Sequence, residues 1–110
     1  MKSYGRMLCL KNDSAAIEAY KQYHREVWPE IVAGLHQTGV TKMKIYLRGC
    51  RLFMYVETVD GFNPTTDFAK GQATPRGREW NSLMSTLQEK APEAGPDEWW
   101  AMMEQVYELQ

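Results

Sequence analysis

Residues 40–58, VTKMKIYLRGCRLFMYVET, decide how this chain folds. Two strand-like runs flank Arg48-Gly49-Cys50, a turn, and the whole reads as a β-hairpin. In the first run Val40, Lys42, Lys44 and Tyr46 alternate with Thr41, Met43, Ile45 and Leu47. In the second, Leu52, Met54 and Val56 point one way while Phe53 and Tyr55 point the other. Strand side chains alternate with a period of two, so this second strand is apolar on both faces. A sheet with helices on one side would leave Phe53 and Tyr55 wet. A ligand cavity or a second subunit is therefore expected to cover them.

Working outward, Pro29-Glu30-Ile31-Val32-Ala33-Gly34-Leu35-His36 reads as a helix with proline in its first turn, stopped by Thr38-Gly39. Ahead of it, Asp13 or Ser14 caps a helix that continues to about His24. Pro29 cannot extend that helix, and it pushes Trp28 toward an extended conformation. Residues 4–10 are a short apolar strand. Downstream of the hairpin, residues 59–64 form a loop and Thr65 to Gly71 a short helix. A longer helix opens at Thr74-Pro75 and runs to about Glu89, with Trp80, Leu83, Met84 and Leu87 at i, i+3, i+4 and i+7. Residues 91–97 are a breaker-rich loop, and Met102 to Leu109 a last strand that includes Glu104 and Val106. The order predicts a split βαβ, ferredoxin-like α+β fold: a four-stranded antiparallel sheet with helices on one face. The two-faced second strand predicts that two such sheets pack together in a homodimer.

The chain has 110 residues, enough for a single domain spanning 1–110, without repeats or linkers. A net charge of −1 with scattered Lys and Arg gives no footprint for nucleic acid. The longest apolar runs are too short to span a bilayer, and Met1 to Arg6 lacks the apolar core of a signal peptide, so no membrane partner is expected. Cys9 and Cys50 make no disulfide framework, which fits a reducing, cytoplasmic setting. There is no Gly-rich phosphate loop, zinc-ligand spacing or nucleophile elbow, and His24 and His36 are too few for a histidine triad. Neither metal nor cofactor is expected.

What remains is an imidazole among aromatics. In a helix Ile17, Tyr20 and His24 share one apolar face. His24 is then either a packed ring bonded to a backbone carbonyl or a proton-transfer group with Tyr20 as its polar neighbour. Spacing leaves both open. His36 reads as a solvated residue near a helix end. Aromatic rings with a few polar groups suit a carbohydrate, whose C–H faces stack on indole while its hydroxyls find side-chain partners. Plain core packing would use the same residues.

The spaced residues Tyr20-x-x-x-His24-x-x-x-Trp28-Pro29-Glu30 have a counterpart elsewhere. With Ile45-Tyr46-Leu47, Leu52-Phe53, Trp80-x-x-x-Met84 and Val106-Tyr107-x-Leu109, the chain resembles the L-rhamnose mutarotase family of small dimeric α+β proteins. The resemblance runs over essentially the whole chain. It implies a dimeric α+β barrel that interconverts sugar anomers without cofactor or metal. It further implies that His24 is the proton donor, that Tyr20 contacts the sugar and that Trp80 lines the pocket. Rhamnose-specific members carry tyrosine where this chain has Met43, and a second tryptophan where it has Asn81. Together with the stretch from Asp60-Gly61-Phe62 to Trp80 and the Gly95-Pro96 loop, these differences look more like the branch acting on L-fucose. The expected substrate is a monosaccharide, a 6-deoxy-L-hexose, with Met43 and Asn81 shaping the choice and Glu104 as a second polar contact. Two other classes share the topology: a barrel enzyme such as a small monooxygenase or lactone isomerase, and a non-catalytic sugar-binding domain.

Overall fold

Strand β1 (Lys2–Leu10) is the hub of a five-stranded antiparallel sheet. The structure is a computed structural model that describes residues 1–96 and 98–110, Gln72 by its backbone only. One edge of β1 pairs with β3 (Arg51–Thr58), from Lys2 against Thr58 to Cys9 against Arg51. Strand β2 (Val40–Arg48) pairs with β3 through a turn at Gly49, whose φ of 62° lies in the left-handed region that a side chain resists. The other edge of β1 takes two short pieces, β4 (Gln88–Glu89) against Cys9 and Leu10, and β5 (Ala101–Met103) against Gly5 to Met7. This is the ferredoxin-like order, with the fourth strand broken in two by an intervening loop.

Helix α1 (Ser14–Arg25) begins where the Asp13 carboxylate accepts from the Ala15 N–H at 3.1 Å. It stops after Arg25, as Pro29 at the start of α2 (Pro29–Thr38) requires. Gly39, at φ 106°, closes α2. A 3₁₀ helix (Phe68–Ala73) leads into α3 (Pro75–Ser85), where the Thr74 hydroxyl accepts from the Gly77 N–H. Leu8, Leu10, Tyr20, Leu52 and Met84 pack into one buried cluster between sheet and helices. Val40, Met54, Val56 and Phe62 form a second, at the far end of the same face. Met54 and Val56 are buried while Phe53 is exposed, so β3 has the two faces its alternation predicts.

Four expectations need correcting. Val40 does not share the face of Lys42, Lys44 and Tyr46. A register shift between Val40 and Lys42 sets it opposite fully buried Thr58, and Val40 turns into the core. The short helix expected from Thr65 to Gly71 is the 3₁₀ turn, displaced toward α3. Helix α3 ends at Ser85 rather than near Glu89, because Gln88 and Glu89 pair with β1 instead. The last strand is only Ala101–Met103, and the chain from Glu104 onward has no ladder partner. Asp97, at the end of the expected 91–97 loop, lies outside the described residues. Among the described residues no helix is long and apolar enough to cross a membrane.

Candidate active site

The last turn of α1 carries His24 over the sheet. A cleft of about 280 Å³ opens there, lined by Tyr20, Lys21, His24 and Arg25 from the helix and by Ile45, Leu47 and Leu52 from the hairpin. The cleft floor is apolar because β2 and β3 alternate, and its rim is cationic because Lys21 and Arg25 lie on the exposed side of α1. Tyr20 is buried, and its ring stacks on the His24 imidazole with centroids 4.1 Å apart. Burial pushes the phenol's pKa up, opposed in part by the side chain of buried Gln88 beside it. Tyr20 is therefore a neutral, fixed platform for the histidine.

His24 itself is held at one nitrogen. Its Nδ1 lies 2.9 Å from the Tyr20 carbonyl oxygen, one helical turn back. A carbonyl oxygen only accepts, so Nδ1 carries the proton and the neutral ring has a bare Nε2. No hydrogen bond reaches Nε2 from the described residues. Burial lowers the His24 pKa, offset in part by the bond to Tyr20. An imidazole whose ordinary value is near 6.5 is thus neutral at pH 7. The packed reading describes the ring as the structure has it, stacked and bonded to a carbonyl, and Nε2 is left open.

Trp80, half-buried on α3, stands edge-on to His24 at 5.5 Å, to Trp28 at 5.0 Å and to Tyr23 at 6.3 Å. Arg76 lies over the outer ring of this wall, 3.6 Å from the Trp28 centroid, and bonds both Glu30 and Glu79. The structure thus brings Tyr20, His24 and Trp80 together. Met43 sits on the same sheet face, half-buried against the second core cluster, two residues along β2 from Ile45 in the cleft. Asn81 is exposed on the helix position after Trp80. Glu104 is exposed in the terminal segment beyond β5 and does not line the cleft; the strand that was to present it ends at Met103. His36 lies outside the cleft, its Nδ1 3.1 Å from the Val40 carbonyl. Sequence reasoning missed Gln88, a polar residue inside a false helical extension, and gave Tyr23 and Trp28 no role although both stand edge-on to Trp80. Among the described residues no group of three His, Cys, Asp or Glu is arranged to hold a metal ion.

A ferredoxin-like sheet with a helix-borne histidine over an apolar cleft defines a class of small α+β proteins, and relatives place the chain within it. Residues 3–109 match the family described as L-rhamnose mutarotase. A protein of Dictyostelium discoideum is 46% identical over 112 residues, covering 98% of this chain and 90% of its own length. The L-fucose mutarotase of Xanthomonas campestris pv. campestris is 34% identical, covering 94% of this chain and 84% of its own. The L-rhamnose mutarotase of Paraburkholderia phymatum is 27% identical over 72% of this chain and 71% of its own. Among solved structures, the L-rhamnose mutarotase of Formosa agariphila superposes with a TM-score of 0.74 at 18% identity, and tetracenomycin F2 cyclase of Streptomyces glaucescens with 0.64 at 15%. Both are matched over the whole of this chain, and over 100% and 98% of their own. The chain belongs to the L-rhamnose mutarotase family, isomerases that act on carbohydrates.

Proposed function

We propose that this protein interconverts the α and β anomers of a 6-deoxy-L-hexose, L-fucose in preference to L-rhamnose, with His24 transferring the proton. The observation that carries the mechanism is the fixed tautomer of His24: Nδ1 is engaged by the Tyr20 carbonyl and Nε2 is bare. Anomer exchange requires the O1 hydroxyl to lose a proton and the ring oxygen to gain one as the C1–O5 bond breaks. Nε2 takes the O1 proton, and water in the open cleft supplies the proton to O5. After rotation about C1–C2, the imidazolium returns its proton to the carbonyl oxygen while O5 attacks C1 and gives its own proton to water. A group that titrates near neutrality serves both directions. Tyr20 orients the imidazole, and Trp80 offers an apolar wall to the sugar's C–H face. No step calls on a cofactor.

The substrate choice rests on Met43 and Asn81, with the 34% identity to an L-fucose mutarotase in support. L-Fucose and L-rhamnose differ in the orientation of their C2 and C4 hydroxyls. Asn81, exposed on the helix position after Trp80, offers a donor and an acceptor where an indole would offer one donor and a broad apolar face. A site that hydrogen-bonds a hydroxyl rejects an analogue that cannot satisfy it. Saturation transfer between the anomeric proton signals, with protein added, tests the assignment. Faster exchange on L-fucose than on L-rhamnose is expected, and Asn81→Trp with Met43→Tyr is expected to move the ratio toward rhamnose. A preference for rhamnose in the unaltered protein would overturn the substrate choice; no exchange on either sugar would overturn the function.

The working unit in this reading is a homodimer of single-domain chains closed sheet to sheet. Tyr46 and Phe53 stack on the open face of the hairpin with centroids 6.2 Å apart, and Met103 is exposed beside them. Val106, Tyr107 and Leu109, all largely exposed, add apolar surface that a single chain leaves in water.

A further inference from the structure

The sheet face away from His24 carries a second cavity of about 300 Å³, floored by Met7, Tyr46, Phe53 and Met103 and edged by Arg48 and Arg51. The two arginines stand directly opposite one another where β2 pairs with β3, a placement that is unfavourable for like charges. Among the described residues no acidic side chain lines the cavity, and neither arginine enters an ion pair. An apolar trough edged by two facing cations is complementary to an extended segment that is both apolar and acidic.

This chain has such a segment. Residues 104–110 carry Glu104 and Glu108 and neither Lys nor Arg. Val106, Tyr107 and Leu109 are largely exposed, no ladder holds the segment, and Glu108 bonds only within it, to Gln105 at 3.4 Å. The segment does not reach the trough of its own chain without reversing. Strand β5 runs antiparallel to β1, so the chain leaves Met103 toward Lys2, while Arg51 and its partner Arg48 stand at the Cys9 end. Glu108 accordingly acts on Tyr55, whose pKa is raised chiefly by the hydrogen bond with Glu57 and to a smaller extent by the Glu108 charge. Tyr55 shares the face of Phe53, so the segment lies on the trough side of the sheet. We propose that residues 104–110 dock as an arm in the trough of a second copy of this chain, with their glutamates against Arg48 and Arg51 of the partner subunit. Seven extended residues span roughly 23–25 Å, and in a two-fold contact each chain gives one arm and receives one. Tyr107 and Leu109, two apart, face the trough together and anchor the arm. The proposal rests on the homodimer reading above and deepens it.

Two charge-reversed proteins test it by sedimentation velocity, one with Arg48→Glu and Arg51→Glu, the other with Glu104→Arg and Glu108→Arg. Each alone sets like charges across the contact, and its dimer dissociation constant is expected to rise about tenfold or more over that of the unaltered protein. Mixed in equal amounts, the two restore opposite charges at both arms, and the mixture is expected to dimerise within about threefold of the parent. Parent-strength dimers of either variant alone would overturn the proposal. So would a mixture no tighter than its components, since an arm lying on its own chain gains nothing from mixing. If the hairpin variant does not fold, Tyr107→Ser with Leu109→Ser, in a segment without ladder partners, carries the test. The same weakening is expected there, and an unchanged dissociation constant would overturn the arm. A parent that stays monomeric at micromolar concentration removes the dimer reading and the arm together; a dimer weakened by Phe53→Lys but indifferent to these variants sinks the arm alone.

Discussion

At the scale of single residues, the proposed chemistry rests on His24 and its surroundings. Burial makes the charged imidazole less favourable in the folded chain than in the unfolded one, so its folded pKa lies below about 6.5. A base with a depressed folded pKa binds fewer protons when folded. Its contribution to stability is whole above the unfolded value and is lost as pH falls through the folded one. Thermal melts between pH 7 and 4 should therefore show an acid-side loss of Tm that is shallower in His24→Asn; identical slopes would remove His24 from that account. Exchange is expected to be level above pH 6.5 and to decline below it as Nε2 fills with a proton. Tyr20→Phe keeps the stacked ring and the carbonyl that fixes Nδ1 but leaves buried Gln88 without its phenol partner. A loss of about 1–3 kcal/mol by denaturant melts, with exchange slowed much less than in His24→Asn, is the expected result. The histidine and its face were legible in the i, i+3, i+7 spacing. Its tautomer was not, since that depends on a backbone carbonyl whose direction only the folded helix fixes.

At the scale of elements, the join between the 3₁₀ turn and α3 is the tightest contact in the region that presents Trp80. A Cβ built on Gly77 would stand 1.7 Å from the Gly71 carbonyl oxygen, a backbone atom that cannot step aside. Gly77→Ala is expected to cost about 1–3 kcal/mol in denaturant unfolding and to weaken sugar binding by shifting Trp80. A variant as stable as the parent would mean that the 3₁₀ turn gives way freely. The elements with local signals were readable: a cap at Asp13 or Ser14, Pro29 in the first turn of α2, Gly39 at its end, and the hairpin that turns at Gly49. Those that failed depend on partners distant in sequence. Leu87 keeps the helical spacing of Trp80, Leu83 and Met84, yet the chain straightens there because β1 offers Leu10 and Cys9 as partners to Gln88 and Glu89. The segment from Met102 alternates like a strand, but alternation supplies no ladder, and pairing with β1 ends at Gly5. The Thr41 irregularity that turns Val40 inward is likewise set across strands, by Thr58.

At the scale of the whole molecule, one sheet face holds the cleft and the other is bare. Sheet-to-sheet closure should give a mass of about 26 kDa by light scattering, twice the 12.8 kDa chain. Phe53→Lys, which places a charge at the centre of the bare face, should shift that mass toward 13 kDa if the face is the contact. A monomer at micromolar concentration in the unaltered protein would require another cover for Tyr46 and Phe53. The central claim concerns the opposite face: His24, fixed by the Tyr20 carbonyl, moves the proton that opens and closes the sugar ring. The most direct measurement is the anomeric exchange rate of L-fucose by NMR saturation transfer at pH 7, for the unaltered protein and for folded His24→Asn at equal concentration. The account predicts that the variant loses about 10²–10⁴-fold of the protein-dependent rate. A variant that exchanges anomers at the parent rate would contradict it and leave His24 a packing residue.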